Sequence, residues 1–459
     1  MSVWHSVRVF GNVWCVALCA LLSASCGGKS ERTVDVLRPT PEWLVTWGDA
    51  SSDVVTDIAL DENAVYVGGV GRLSLDPTMS DTVSAYVARF DAKGNLEWTQ
   101  RVQKSVEYSV VYVALASDGA LYASGRCEPG ADLDPGPGAD PAPDGARNYV
   151  SKFARDGIYL WSRAWPGMSS EPRIAALPNG GVAVAATLSN PGVRPVATAF
   201  GLSSDGDELW RTTWSGNHFN APAGIVPDQE GVFVCGWYSE QRDGLPGDMP
   251  VSRGADGFVL RLGADGERLW LRTWGGGYDD FVQDCALGET GTLAVVGSFS
   301  LSSTDGSFTL ADGTQTTLQT DDYDALLYAF SDTGEPLRLR SWGGPARDLA
   351  NSVTPAPGGD FLVASVAEVL GLDAASSTLD AADGPFASVI RFSPDAGTVS
   401  ALTWGSNGNT SANAVSALDG QAVIGGSFDG AVRFPDAGEP SAVAFSDAFL
   451  WRREAPQWQ

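Results

Sequence analysis

The sequence predicts an all-β fold: a seven-bladed β-propeller of four-stranded antiparallel blades, closed by an N-terminal strand at residues 41–47 that completes the last blade. Three observations predict it. One segment is written seven times, most clearly as ERLWLRTWGG at 267–276, with closing positions at Trp47, Val102, Trp165, Trp214, Trp274, Trp342 and Trp404. Within each period of roughly 50–70 residues, four short alternating segments recur, the signature of stacked supersecondary units. The copies are also out of phase by one strand. The seventh repeat ends in DAFLWRREAPQWQ without an LW…W segment, and the spare copy, PEWLVTW, stands at the N-terminus.

Each predicted strand has its own warrant. First strands read VVTDIAL, SVVYVAL, EPRIAAL, APAGIVP, FVQDCAL, LANSVTP and SANAVSA, the most divergent set. Second strands such as AVYVGGV, GVFVCGW and TLAVVGS, and third strands such as SAYVARF, DGFVLRL and DALLYAF, are short, apolar and bounded by turn residues. Four of the fourth strands carry two Trp four residues apart, so both point to one face, and the other three carry one. A buried Trp removes up to ~200 Å² from water, worth about 5 kcal/mol gross as an upper bound. Recurring in phase, these Trp read as packing between blades rather than as a row of sugar-stacking platforms. The Asp-Gly turns DAKGN, SSDGDE and GADGE are structural, with Gly supplying positive φ and Asp bonding its own backbone.

Composition agrees. The chain has 459 residues with Gly 54, Pro 26 and 44% hydrophobic residues, enough for a turn-rich β protein with a core. Its net charge is −27, which repels phosphate backbones and argues against nucleic acid as a partner. Excess acid favours solubility, and acidic loops also supply the hard oxygens that Ca²⁺ takes.

The first 25 residues contain no acid, one Arg (Arg8) and an apolar run from Val9 to Ala24, the layout of an export signal. They end LLSASCGGKS, which resembles a bacterial lipoprotein signal; the resemblance makes Cys26 the first mature residue and the site of acylation. Ser23 stands where that pattern prefers Leu. Gly27, rather than Asp, follows the Cys, which favours the outer membrane. The expected organisation is a lipoprotein signal peptide at 1–25, a polar, Pro-punctuated flexible tether at 26–40, and the propeller at 41–459. Several acyl chains at about 0.8 kcal/mol per buried CH₂ make such an anchor permanent.

The string WGGGYDDFVQDCALGETGTLAVVGSF and the later DALLYAFSDTGEPLRLRSWGG resemble the bacterial β-propeller repeat family called SBBP. The resemblance spans 41–455, is specific in the fifth and sixth copies, and is weak in the third, where WPGMSS replaces Trp-Gly-Gly. It implies an exported protein and implies no common activity, cofactor or catalytic residue.

Candidate chemistry is sparse. Long loops at 127–147, 238–255, 298–323 and 367–385 gather on one rim and form the candidate binding surface. In the first, Asp132, Asp134, Asp140 and Asp144 offer oxygens for Ca²⁺ but lack the spacing of an EF-hand; a solvated Pro/Gly/Asp loop is the plainer reading. Asp279–Asp280 and Asp321–Asp322–Asp324 either pair for acid–base work or cap turns. Of the cysteines expected in the mature domain, Cys235 and Cys285 replace Val or Ile of other copies and read as small core residues, with a disulfide between them as the other reading, which export permits. Cys127 is left over. His218 is the single His after residue 5 and has no nucleophile motif beside it. Only Asp57 and Asp284 recur at equivalent first-strand positions facing the axis. The functional expectation is an exported, lipid-anchored, monomeric recognition or scaffold module without catalysis, taking a protein or glycan on the long-loop rim. The alternatives are an enzyme acting on polysaccharide through axial carboxylates, and a purely structural envelope protein.

Overall fold

Valine and aromatic side chains make the second and third segments of each repeat good central strands. In the computed structural model Ala64–Gly71 is buried from end to end, and Val182–Leu188 and Leu293–Ser300 are buried up to their last residue. The structure describes residues 42–48, 51–76, 83–101, 109–166, 171–188, 196–214, 219–239, 252, 254–300, 306–318, 320, 322–344, 347–367, 369–370, 379–380, 386–394, 397–406, 408–435 and 437–454, all within one unit, Thr40–Gln459. The predicted signal, Cys26, the tether and His218 lie outside the described residues.

Five four-stranded antiparallel sheets stand separately. They comprise Val54–Asp61, Ala64–Gly71, Ser84–Asp91 and Leu96–Arg101; Tyr112–Leu115, Leu121–Arg126, Asn148–Phe153 and Tyr159–Trp165; Arg173–Ala176, Val182–Leu188, Val196–Leu202 and Glu208–Trp214; Phe219–Pro227, Gly231–Ser239, Ala255–Gly263 and Arg268–Trp274; and Asp280–Leu287, Leu293–Ser300, Tyr323–Phe330 and Pro336–Trp342. The fold is an all-β propeller, and these sheets are its blades.

The sixth and seventh repeats do not separate. Leu349–Ala356, Asp360–Ala367, Phe386–Ser393 and Gly397–Ser406 share one eight-stranded sheet with Thr410–Leu418, Gln421–Arg433, Ser441–Glu454 and Trp43–Trp47. The join is two residue pairs, Gly405 with Arg433 and Ser406 with Val432. Gln421–Arg433 is 13 residues long and reaches past its own neighbours to the end of the preceding strand. There Val432 and Phe434 are buried beside Trp404. The N-terminal segment pairs antiparallel with Ser441–Glu454, Trp47 opposite Ala448.

The Trp pairs lie between blades, as their phase predicts. Each closing indole packs on a third-strand aromatic of the next four-strand set: Trp214 on Phe258 (6.0 Å), Trp274 on Tyr328 (5.3 Å), Trp342 on Phe392 (5.0 Å) and Trp47 on Phe90 (5.7 Å). The earlier indole of each pair reaches the next set's third-to-fourth-strand turn. Trp43 Nε1 donates to Ala92 O (3.0 Å), Trp98 Nε1 to Arg155 O (3.2 Å) and Trp161 Nε1 to Ser204 O (3.0 Å). Gly94 (φ 84°) and Gly266 (φ 80°) sit in these turns; a Cβ on either would collide with Trp43 or Trp210. The turn glycine is therefore required twice, by its backbone conformation and by the indole lying on it.

The Gly after the closing Trp has a different cause. Asp280 Oδ2 accepts the Gly276 N–H at 2.6 Å, and Asp348 Oδ2 accepts the Gly344 N–H at 2.9 Å, so the Asp six residues past each Trp folds the connection back. A Cβ on Gly275 would collide with Asp256 Oδ1 and Asp280 Oδ2, and one on Gly343 with Asp324 Oδ1 and Asp348 Oδ2. Asp279 and Asp280 thus cap backbone, Asp279 Oδ1 accepting the Ala255 N–H at 3.0 Å. Burial pushes Asp256 up to about 7 and, together with the nearby Asp256 and Asp279, holds Asp280 well above the usual carboxylate range.

A carboxyl whose pKa rises on folding contributes stability that is present at acidic pH and lost as pH climbs from the unfolded value toward the folded one. For Asp256 that window runs from 3.8 to about 7. Asp256→Asn, which cannot ionise, is expected to gain thermal midpoint relative to the parent between pH 5 and pH 8. Melting curves at the two values check it, and a parent-to-variant gap independent of pH would contradict it.

Candidate functional site: the axial cavity

First strands are the inner edges of the blades, so the backbone groups on their axial side have no sheet partner and must be met by side chains or water. In five of them the register slips by one residue, between Val55 and Asp57, Pro222 and Gly224, Val282 and Asp284, Ala350 and Ser352, and Ala412 and Ala414. Such a bulge re-aims the residue that follows it. By pairing register the equivalent position is held by Asp57, Tyr112, Arg173, Gly224, Asp284, Ser352 and Ala414. All but Ala414 line one cavity of about 380 Å³, together with the bulge residues Thr56, Gln283, Asn351 and Asn413.

Asp57 and Asp284, the two acids singled out in the sequence, therefore do face a common space. Their oxygens are already engaged. Asp57 Oδ1 accepts the Ile58 N–H and Oδ2 accepts the Val113 N–H in the next blade, both at 2.8 Å. Asp284 repeats the arrangement with Cys285 (2.8 Å) and Val353 (3.0 Å). Neighbouring polar residues staple in the same direction: Thr56 Oγ1 donates to Val111 O (2.7 Å), Asn351 Nδ2 to Ala412 O (2.9 Å) and Asn413 Nδ2 to Val55 O (3.2 Å). Enclosure by protein raises Asp57 to about 7 despite its two amide donors and Arg173; Asp284 is also raised by burial.

Arg173 is the axial residue that sequence reasoning missed. Its guanidinium carbon lies 3.9 Å from the Tyr112 ring centroid. Among the described residues no hydrogen bond or ion pair holds it. The signal was present as the Arg of EPRIAAL, in a column of otherwise uncharged or acidic residues. That first strand lacks the bulge, which displaces Arg173 by one place from Asp57 and Asp284 in a gapless alignment.

Gly224 opens the ring for another reason: a Cβ there would run into both Cys235 Sγ and Cys285 Sγ. Cys235 and Cys285 form a disulfide with Cα atoms 6.4 Å apart, which corrects their reading as unpaired core residues. The second strand of one blade lies against the first strand of the next, and that proximity is invisible in a sequence where 50 residues separate them. Closing a loop of that length is worth about 4 kcal/mol by chain entropy. Cys127 is free and buried, and burial pushes its thiol up to about 11, away from reactivity.

The 127–147 loop also departs from its expected solvated character. Cys127, Ala131, Leu133, Ala142 and Ala146 form a buried cluster with Tyr149. Asp132 Oδ1 accepts the N–H groups of Asp134 (3.2 Å) and Asp140 (2.9 Å), Asp134 Oδ1 accepts that of Gly136 (2.7 Å), and Asp140 accepts the Tyr159 hydroxyl. These carboxylates hold the loop itself. Among the described residues no group of three or more His, Cys, Asp or Glu is arranged to hold a metal ion.

No family model matches the chain. Over 78 residues it is 38% identical to the regulatory protein FlaEY of Caulobacter vibrioides, a match that takes in 17% of this chain and only 8% of that much longer relative. Among solved structures it is similar to the WD40 β-propeller domain of Doa1 (12% identity, 91% of this chain and 99% of that one, TM-score 0.47). It is also similar to the polysaccharide lyase Uly1 (11%, 89% and 91%, TM-score 0.46) and to the β-propeller domain of the Trilobed protease of Pyrococcus furiosus (7%, 89% and 99%, TM-score 0.44).

Proposed function

We propose that the chain is an exported recognition or scaffold module of the bacterial cell envelope, a monomer that binds without catalysis. The observation that carries this reading is the state of the axial acids: all four oxygens of Asp57 and Asp284 accept backbone N–H groups, one of each pair from the next residue in the same strand and the other, Val113 or Val353, from the next four-strand set. A general acid or nucleophile needs its oxygen free to reach substrate. The ligand surface would then be the loop-rich rim or the axial cavity. One observation favours the polysaccharide-enzyme alternative, namely that Asp57 is raised to about 7 at the wall of a 380 Å³ cavity, a value suited to proton transfer near neutral pH. Incubation with cell-envelope and extracellular polysaccharides is expected to leave chain length unchanged by size-exclusion analysis. Depolymerisation that Asp57→Asn abolishes would reverse the choice.

The proposal includes a ring of seven four-stranded blades of the SBBP type, the last completed by Trp43–Trp47. Support comes from the pairing of that strand with Ser441–Glu454, which adds it to the last four-strand set, and from three bonds that tie that set to the first: Trp43 to Ala92, Asp53 N to Ser446 O (2.8 Å) and Asn413 to Val55. Deleting residues 41–47 removes two packed Trp and is expected to lower the thermal midpoint on the order of 10 °C. An unchanged midpoint would exclude closure by this strand.

It also includes an acylated Cys26 holding the tether at the outer membrane, supported by the LLSASC string alone. Palmitate labelling in a bacterial host is expected to be lost in Cys26→Ala; label retained by that variant would sink the anchor.

A further inference from the structure

Three facts converge on the axial cavity. The Arg173 guanidinium is stacked on Tyr112, and no hydrogen bond or ion pair holds it among the described residues. The two nearby carboxylates, Asp57 and Asp284, spend their oxygens on backbone amides and make no hydrogen bond to it, although their charges act on it. The remaining wall is rich in side chains that exchange hydrogen bonds with hydroxyl groups, including Gln283, Asn351, Ser352 and Asn413.

We propose that Arg173 anchors a ligand site in this cavity for a hydroxyl-rich molecule of monosaccharide size carrying a single carboxylate, that is, a sugar acid. The guanidinium presents a planar fork that matches a carboxylate with two parallel N–H···O bonds, and stacking on Tyr112 fixes the plane of that fork beforehand. The volume, about 380 Å³, lies at the small end of ligand cavities and suits one sugar ring better than an oligosaccharide. The polar wall suits hydroxyl groups and disfavours a fatty acid. Asp57 and Asp284 bear on the ligand's charge: two carboxylates beside the guanidinium repel a dianion more strongly than a monoanion, which disfavours sulfate and phosphate dianions. Burial lifts Asp57 to about 7, so near neutral pH part of its charge is already removed and one anion is tolerated.

The site rests on the reading of the chain as a module that binds without catalysis, and the two can fail separately. Calorimetric titration of the full chain at pH 6.5 would compare glucuronate, galacturonate, glucose, methyl glucuronate ester and inorganic sulfate. Either uronate is expected to bind, with glucose, the ester and sulfate at least about tenfold weaker, the factor lost with hydrogen bonds to a charged group. Arg173→Gln is expected to remove that preference while keeping the parent's melting temperature. Glucose or the ester binding as well as the uronates, no binding of either uronate, or an unchanged uronate affinity in folded Arg173→Gln would overturn the proposal. If Arg173→Gln does not fold, the acid-against-ester comparison on the unaltered protein decides. NMR of the recovered uronate and of a uronate oligosaccharide bears on the other question: binding with intact ligand supports both readings, and binding with cleavage keeps the site and ends the non-catalytic reading.

Discussion

Each blade is held in place by indoles that belong to its neighbour. A four-stranded sheet has two apolar faces and cannot bury them alone, so its stability depends on what the adjacent sheet presents. Here the adjacent fourth strand presents one Trp or, in four of the repeats, two on one face. The inner one, such as Trp274 at 2% exposure, fills the space beside the next blade's aromatic residues. The outer one, such as Trp98, lies on the next blade's turn and donates its N–H to a turn carbonyl. Blade spacing follows from this contact, and blade spacing sets the width of the axis.

Polar groups at the axis and at the blade connections answer one constraint, the unpaired edge of the first strand. Thr56, Asp57, Asp284, Asn351 and Asn413 each reach forward to backbone in the next four-strand set. On the connection side, Asp280 and Asp348 turn the chain back onto Gly276 and Gly344. Buried carboxylates used this way carry a desolvation cost, visible as raised pKa values at Asp57, Asp280 and Asp284. Arg173 stands in the same ring and, among the described residues, makes no such bond to backbone; it lies on the Tyr112 ring instead.

Legibility in the sequence followed periodicity. The fourth strands were plain because two Trp four residues apart recur in phase. Central strands were plain because their residues are buried on both faces and leave runs such as AVYVGGV. The first strands were hard, since side chains at an inner edge are chosen for contacts across the axis rather than for burial in a sheet. Asp57 and Asp284 could still be placed because both follow a bulge. Arg173 escaped because its strand, Arg173–Ala176, is short and without one. The merging of the last two repeats escaped as well, because it depends on how far Gln421–Arg433 extends, and strand length beyond a repeat unit leaves no periodic mark.

The sequence by itself determined the repeat length, the four strands in each unit, the Trp face and the Asp-Gly turns, all of which are local patterns along a chain. Only the tertiary structure decided that Cys235 meets Cys285, that two carboxylates share the place where Gly275 would carry a side chain, and that Arg173 lies on Tyr112 near Asp57 and Asp284 without a hydrogen bond among the described residues. Those are contacts between residues from different units, brought together by the angle at which one blade stacks on the next. The Trp between the blades set that angle, and the order of residues along the chain does not record it.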